Sequence, residues 1–141
     1  MLTFYEAETM MQQSQESLWL ISDQHLMSTI PHLAHALQRG VQLRLILPID
    51  LPYPPGYYEQ DSVKELEKML PSSKRSGLYE ERRVDMVDTC MGIADHASGR
   101  IFFPTLKGDF DYKGFTVTDE RSHIFCRDLF TYYWNQATAT P

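Results

Sequence analysis

Two stretches, Leu18-Trp19-Leu20-Ile21 and Val41-Gln42-Leu43-Arg44-Leu45-Ile46-Leu47, enclose a third in which Ile30, Leu33, Ala34 and Leu37 recur at helical spacing. The first run is too short for a helix and suits a buried strand; the second is rich in branched side chains and also reads as strand. His32, His35, Gln38 and Arg39 fall on the polar side of the helix between them, and Gly40 stands where a helix needs a left-handed C-terminal residue. Pro31 is tolerated only in a first turn, so the regular helix is expected to start near Ser28 or Thr29. Strand, helix and strand joined over this length argue for a parallel βαβ unit.

Upstream, residues 2–15 have the pattern of an amphipathic helix, with Phe4, Ala7, Met11 and Ser14 on one face, and read as a connector rather than core. Downstream, residues 48–58 hold four prolines and three tyrosines, which predicts a stiff, non-helical loop. Ser62-Val63-Lys64-Glu65 has the form of a capping box, and the helix it opens is expected to stop before Pro71. Residues 81–86 read as a polar third strand near a sheet edge. Residues 90–94 and 100–103 read as a hairpin joined through Asp95-His96-Ala97-Ser98-Gly99. Residues 104–115 read as a loop. A last helix follows Thr118 as its N-cap, its apolar face running through Phe125, Cys126, Leu129, Phe130, Tyr133 and Trp134. The fold class expected is α/β, a mixed sheet with a parallel βαβ start and an antiparallel hairpin, and helices on both faces.

Composition narrows the function. A chain of 141 residues with 43% hydrophobic content can bury one domain's core. Its net charge of −6 and lack of a basic stripe argue against direct contact with a nucleic-acid backbone. No segment approaches the roughly 20 apolar residues needed to span a bilayer, and the acidic N-terminus lacks the basic start of a signal peptide. Cys90 and Cys126 suit neither a disulfide framework nor a zinc site, and both fall on apolar positions, so inert buried thiols in a reducing cytoplasm are expected.

Four stretches together carry a resemblance: residues 39–47, a helix end entering a basic-dotted strand; Met91-Gly92-Ile93-Ala94-Asp95 with its return Ile101-Phe102-Phe103-Pro104; Gly108-Asp109-Phe110-Asp111-Tyr112; and Asp128-Leu129-Phe130-Thr131-Tyr132-Tyr133-Trp134. The chain resembles the effector domain of archaeal winged-helix transcription regulators of the TrmB-like and methanogenesis-regulator type, a domain similar in fold to one half of a phospholipase D. The resemblance implies residues 1–16 as a linker or connector helix, 17–136 as an effector-sensing α/β domain and 137–141 as a tail. It implies a small-molecule effector, a homodimer, and DNA reached only through a winged helix that this sequence lacks.

The alternative is a degenerate phospholipase D-like phosphodiesterase. Such an enzyme needs a histidine nucleophile and a lysine two residues on, to attack phosphorus and hold its oxygens. His96 is followed instead by Ala97 and Ser98, and the next lysine is Lys107. No catalytic residue, metal or cofactor is therefore expected. His32 and His35 share a helix without a third ligand, and Asp85, Asp88, Asp95, Asp109 and Asp111 match no calcium-loop spacing. Ligand-binding candidates are Asp23 and His25 after the first strand, Asp50 and Tyr57 after the second, and Asp95 in the hairpin turn, since open α/β sheets bind ligands at strand ends.

Overall fold

The structure is a computed structural model that describes residues 4–24, 27–95, 98–107 and 110–139; within these, the side chains of 4, 5, 98, 111–113 and 139 are left undescribed. In chain order the elements are α1 (Phe4–Gln13), β1 (Ser17–Ile21), α2 (Ile30–Gln38), β2 (Gln42–Pro48), a 3-10 turn (Tyr57–Glu59), α3 (Asp61–Ser76), β3 (Tyr79–Val84), β4 (Cys90–Ala94), β5 (Ser98–Pro104), β6 (Phe110–Val117), α4 (Glu120–Gln136) and the two-residue β7 (Thr138–Ala139). The strands form one mixed sheet in the order β6-β5-β4-β1-β2-β3-β7. β1, β2 and β3 are parallel neighbours, and β4, β5 and β6 are antiparallel on the other side of β1.

The period-2 alternation of strand side chains divides the core. Leu18, Leu20, Leu43, Leu45 and Leu47 point to one face and are buried there with Ile30, Leu33 and Leu37 of α2 and Val63 and Leu66 of α3. Fully burying each such side chain contributes about 1.5–3 kcal/mol. Trp19, Ile21, Ile46, Met91 and Ile93 point to the other face, against Cys126, Phe130 and Trp134 of α4. The expected parallel βαβ start, antiparallel hairpin and two-sided helices are all present.

Several boundaries differ from expectation for local reasons. α1 is not a bare connector: Ala7, Met10 and Met11 are buried in the core. Gly92 permits this close packing, since a Cβ there would come within 2.8 Å of the Met10 Cε. α2 begins at Ile30 with Pro31 in its first turn, and Gly40 takes φ +81 at its end, as the sequence suggests.

α3 starts at Asp61 behind Gln60 rather than at a capping box, and it runs through Pro71 to Ser76. The helix hydrogen bond that Pro71 cannot make would have used the carbonyl of Glu67; both residues are exposed, so water can serve that carbonyl. α3 ends at Gly77, whose φ of +80 suits the left-handed cap. The N-cap of α4 is Asp119, not Thr118; its carboxylate accepts the N–H of Ser122 at 3.1 Å.

The largest departure is β6, in a stretch expected to be mostly loop. Gly114 there is no break. A Cβ at that position would run into the Ile101 carbonyl, so glycine is what lets β6 approach β5. The expected tail also takes part in the sheet, Thr138 and Ala139 pairing with Arg83 and Arg82 as β7.

Candidate functional site

α1 and α2 cross the same sheet face on either side of the end of β1, and they do not close on each other completely. Between them and the sheet lies a cavity of about 60 Å3. Ala7, Met10 and Met11 of α1 form its roof, and Leu20, Leu45, Leu47 and Phe102 form much of its floor. Ser22 and Gln24 from the loop after β1, with Thr29 at the head of α2, give it a polar end. Cys90, Gly92 and Arg100 complete the wall from β4 and β5. Two of these glimpses of polarity are local turns: the Ser22 hydroxyl donates to the Gln24 carbonyl at 2.7 Å, which folds the loop back over the strand end.

Arg100 is the one cation among the described lining residues. Its Nη1 donates to the Gly99 carbonyl at 3.0 Å, while its Nε is buried with no hydrogen-bond partner among the described residues. Burial lowers its pKa, opposed by the charge of Glu6 on α1. In the same wall, on the neighbouring strand, the Cys90 thiol lies 3.8 Å from the Asp23 carboxylate. Burial, reinforced by that carboxylate, pushes the Cys90 thiol far up, and burial also raises Cys126. Both cysteines are free and buried, so neither has the low-pKa, exposed character of a reactive thiol.

The roof of the cavity is held at one end. The Arg39 guanidinium donates to the carbonyls of Met11, in the last turn of α1, and Ser14, just past its end, at 3.2 and 2.9 Å. Asp95, at φ +56, accepts the backbone N–H groups of Gln15, Glu16 and Ser17 at 3.2, 2.7 and 3.1 Å. Asp95 therefore fastens the turn from α1 into β1.

The five sequence candidates do not converge. Asp23 stands beside the cavity through Cys90. His25 lies outside the described residues, as does His96. Asp50 is exposed in the turn after β2, and Tyr57 is buried under the proline-rich loop against Tyr53 and Tyr58, at 4.8 and 4.9 Å between ring centroids. Neither lines the cavity. Asp95 sits at the amino end of β1, the opposite end from Asp23.

Arg100, Thr29 and the methionines of α1 were not singled out from sequence. Their only advance signal was the apolar spacing of Ala7 and Met11, since an arginine within a strand says nothing of the face it will meet. His32 is 4.0 Å from Glu8, with its pKa lowered chiefly by burial, and His35 is exposed. Among the described residues, no group of three or more His, Cys, Asp or Glu is placed to hold a metal ion. No helix among them is long and apolar enough to cross a membrane.

No family model matches the chain, and no curated protein matches it in sequence. Solved structures do share its fold. TrmBL2, described as an archaeal chromatin protein with a novel mode of DNA binding, superposes with a TM-score of 0.71 at 18% identity, over 98% of this chain and 50% of its own. Nuc from Salmonella typhimurium, a phospholipase D family member, gives 0.67 at 10% identity, over 97% and 90%. Phosphatidylserine synthase from Haemophilus influenzae Rd KW20 gives 0.65 at 11%, over 95% and 36%. The fold is thus the one common to TrmB-like and phospholipase D-like proteins, and the chain spans half the length of TrmBL2.

Proposed function

We propose that this chain is a ligand-sensing, dimerising regulatory domain without catalytic activity, of the kind found in TrmB-like transcription regulators. The observation that carries the proposal is the cavity under α1, which combines an apolar body, a polar end at a strand terminus and an underused cation. Asp23, beside the lining residue Cys90, would stand at the rim of that cavity; Asp50, Tyr57 and Asp95 are assigned no contact with the guest. The mechanism is a population shift. A small molecule favours one seating of α1 on the sheet, and α1, fastened at its C-terminal end by Arg39 and Asp95, pivots as the cavity fills. A winged-helix segment joined to α1 would carry that movement to DNA.

The dimer surface in this reading lies on α4 and the β5–β6 edge, because the apolar side chains Ala7, Met10 and Met11 of α1 are used in the core. Ile124, Phe125, Phe103 and Phe115 are exposed there. Thermal-shift screening against sugars, coenzymes, nucleotides and small acids tests the sensing function, since a ligand that binds only the folded state raises the melting temperature. A hit whose effect disappears when the cavity is filled is expected. Phosphodiesterase activity abolished by His96→Ala would overturn the non-catalytic assignment.

A further inference from the structure

We propose that the cavity under α1 is a site for a short-chain monocarboxylate, with its carboxylate on Arg100 and its chain against Met10, Met11, Leu33 and Leu45. The inference rests on the sensing function proposed above and names the chemical class of the guest. A buried guanidinium Nε–H without a partner is costly unless an acceptor meets it. A carboxylate is the acceptor that a planar guanidinium fork fits best, with two parallel N–H···O bonds.

Charge limits the ligand to a monoanion. Among the described lining residues Arg100 is the one cation, Glu6 already acts on it, and the Asp23 carboxylate stands beside the lining residue Cys90. A doubly charged phosphate would meet more negative than positive charge. Polarity disfavours a sugar: among the described lining residues, beyond Ser22, Gln24 and Thr29 at one end and Arg100 and Cys90 in one wall, the rest are apolar side chains and a glycine, which would leave most ring hydroxyls unpaired. Size sets the chain length. At ~10–15 Å3 per enclosed atom, a space of this volume takes roughly four to six non-hydrogen atoms, about the size of butyrate. The flexible ends of Met10 and Met11 give some latitude.

Calorimetric titration of the full chain at neutral pH with acetate, butyrate, hexanoate and butan-1-ol tests the assignment. Butyrate should bind saturably, and acetate and butan-1-ol at least about tenfold more weakly, one lacking the chain and the other the charge. Arg100→Gln should weaken butyrate by about tenfold or more and leave butan-1-ol unchanged. Ala7→Leu adds carbons at the roof of the cavity and should block both, with circular dichroism verifying that each variant is folded. Equal binding of butyrate and butan-1-ol, butyrate binding to Arg100→Gln within about twofold of wild type, unaltered binding to folded Ala7→Leu, or no saturation by any acid would overturn the proposal. If no acid binds but a metabolite of another class does, and Ala7→Leu abolishes it, the carboxylate assignment fails while the sensing function stands. If nothing binds, both fail.

Discussion

On one face of the sheet, three helices lay leucines, alanines and methionines against Leu18, Leu20, Leu43, Leu45 and Leu47, and a cavity remains between them. On the other face α4 works alone, with a different kind of packing. Phe130 lies between Trp19 and Trp134, at 5.2 and 5.8 Å from each ring centroid. Arg44 reaches over both tryptophans at 5.0 and 5.5 Å, Arg82 over Trp134 at 4.4 Å and Arg127 over Trp19 at 5.6 Å. Arg82 also donates to the Trp134 carbonyl at 2.8 Å near the C-terminal end of α4, where free helix carbonyls need donors.

Stacked rings and cation–π contacts depend on orientation, whereas leucine and methionine packing tolerates rearrangement. The single-helix face is thus suited to holding the fold, and the three-helix face to adjusting around a guest. One helix also cannot cover a sheet this wide, which leaves Phe115 and Phe125 60% exposed at its flank.

The strongest way to break this contrast is Phe130→Ala. Phe130 is 1% exposed and touches both tryptophans, so its loss should cost ~3–5 kcal/mol in chemical denaturation. A cost under about 1 kcal/mol would mean that the aromatic stack is no more rigid than the aliphatic side.

Asp95→Ala comes next, at about 2 kcal/mol, because it removes the acceptor of three backbone N–H groups and places alanine at φ +56. Asp95→Gly should recover the conformational part alone. In hydrogen exchange, Asp95→Ala should speed α1 and leave α4 unchanged; equal acceleration of both would deny that α1 moves separately.

Gly92→Ala measures the tolerance of the three-helix face itself. Its Cβ would press on the ends of Met10 and Leu20, and an adjacent cavity lets both move, so a cost of about 1 kcal/mol is expected. A cost above about 3 kcal/mol would show that face to be as tightly determined as the other.

The smallest effect is a pH dependence at α4. Its N-terminal hydrogen bonds from Ser122 hold the Asp119 carboxyl below the usual carboxylate range. The stabilisation by Asp119 is therefore complete above that range and is lost as pH falls through the depressed value. The stability difference between wild type and Asp119→Ala should shrink on acidification; a difference that grows would contradict the cap.

Much of this contrast could be read from residues alone. The runs at 18–21 and 41–47 are short, apolar and separated by a helix of clear period, so strand type and parallel direction follow from length and connection. The apolar stripe of α4 was visible for the same reason. β6 was not, because Gly114 and the aspartates around it carry loop propensity that pairing with β5 overrides. Pro71 misled in the same way, since exposure of its turn lets water make up the lost hydrogen bond.

The cavity was legible only in part. Strand-end reasoning reached Asp23, which borders it, but Asp95 lies in a turn that antiparallel pairing carries to the other end of β1. Arg100 and Met10 belong to the site through register and helix docking, which no local pattern encodes.

The most direct test of the three-helix face as a place for a guest is xenon binding, read by the methyl resonances of carbon-13 methionine-labelled protein. Xenon enters apolar cavities whatever their natural ligand. The Met10 and Met11 methyls should shift saturably with xenon pressure while that of Met86, which is 76% exposed, stays in place. Unmoved Met10 and Met11 signals, or a shift shared equally by Met86, would contradict the cavity on which the account depends.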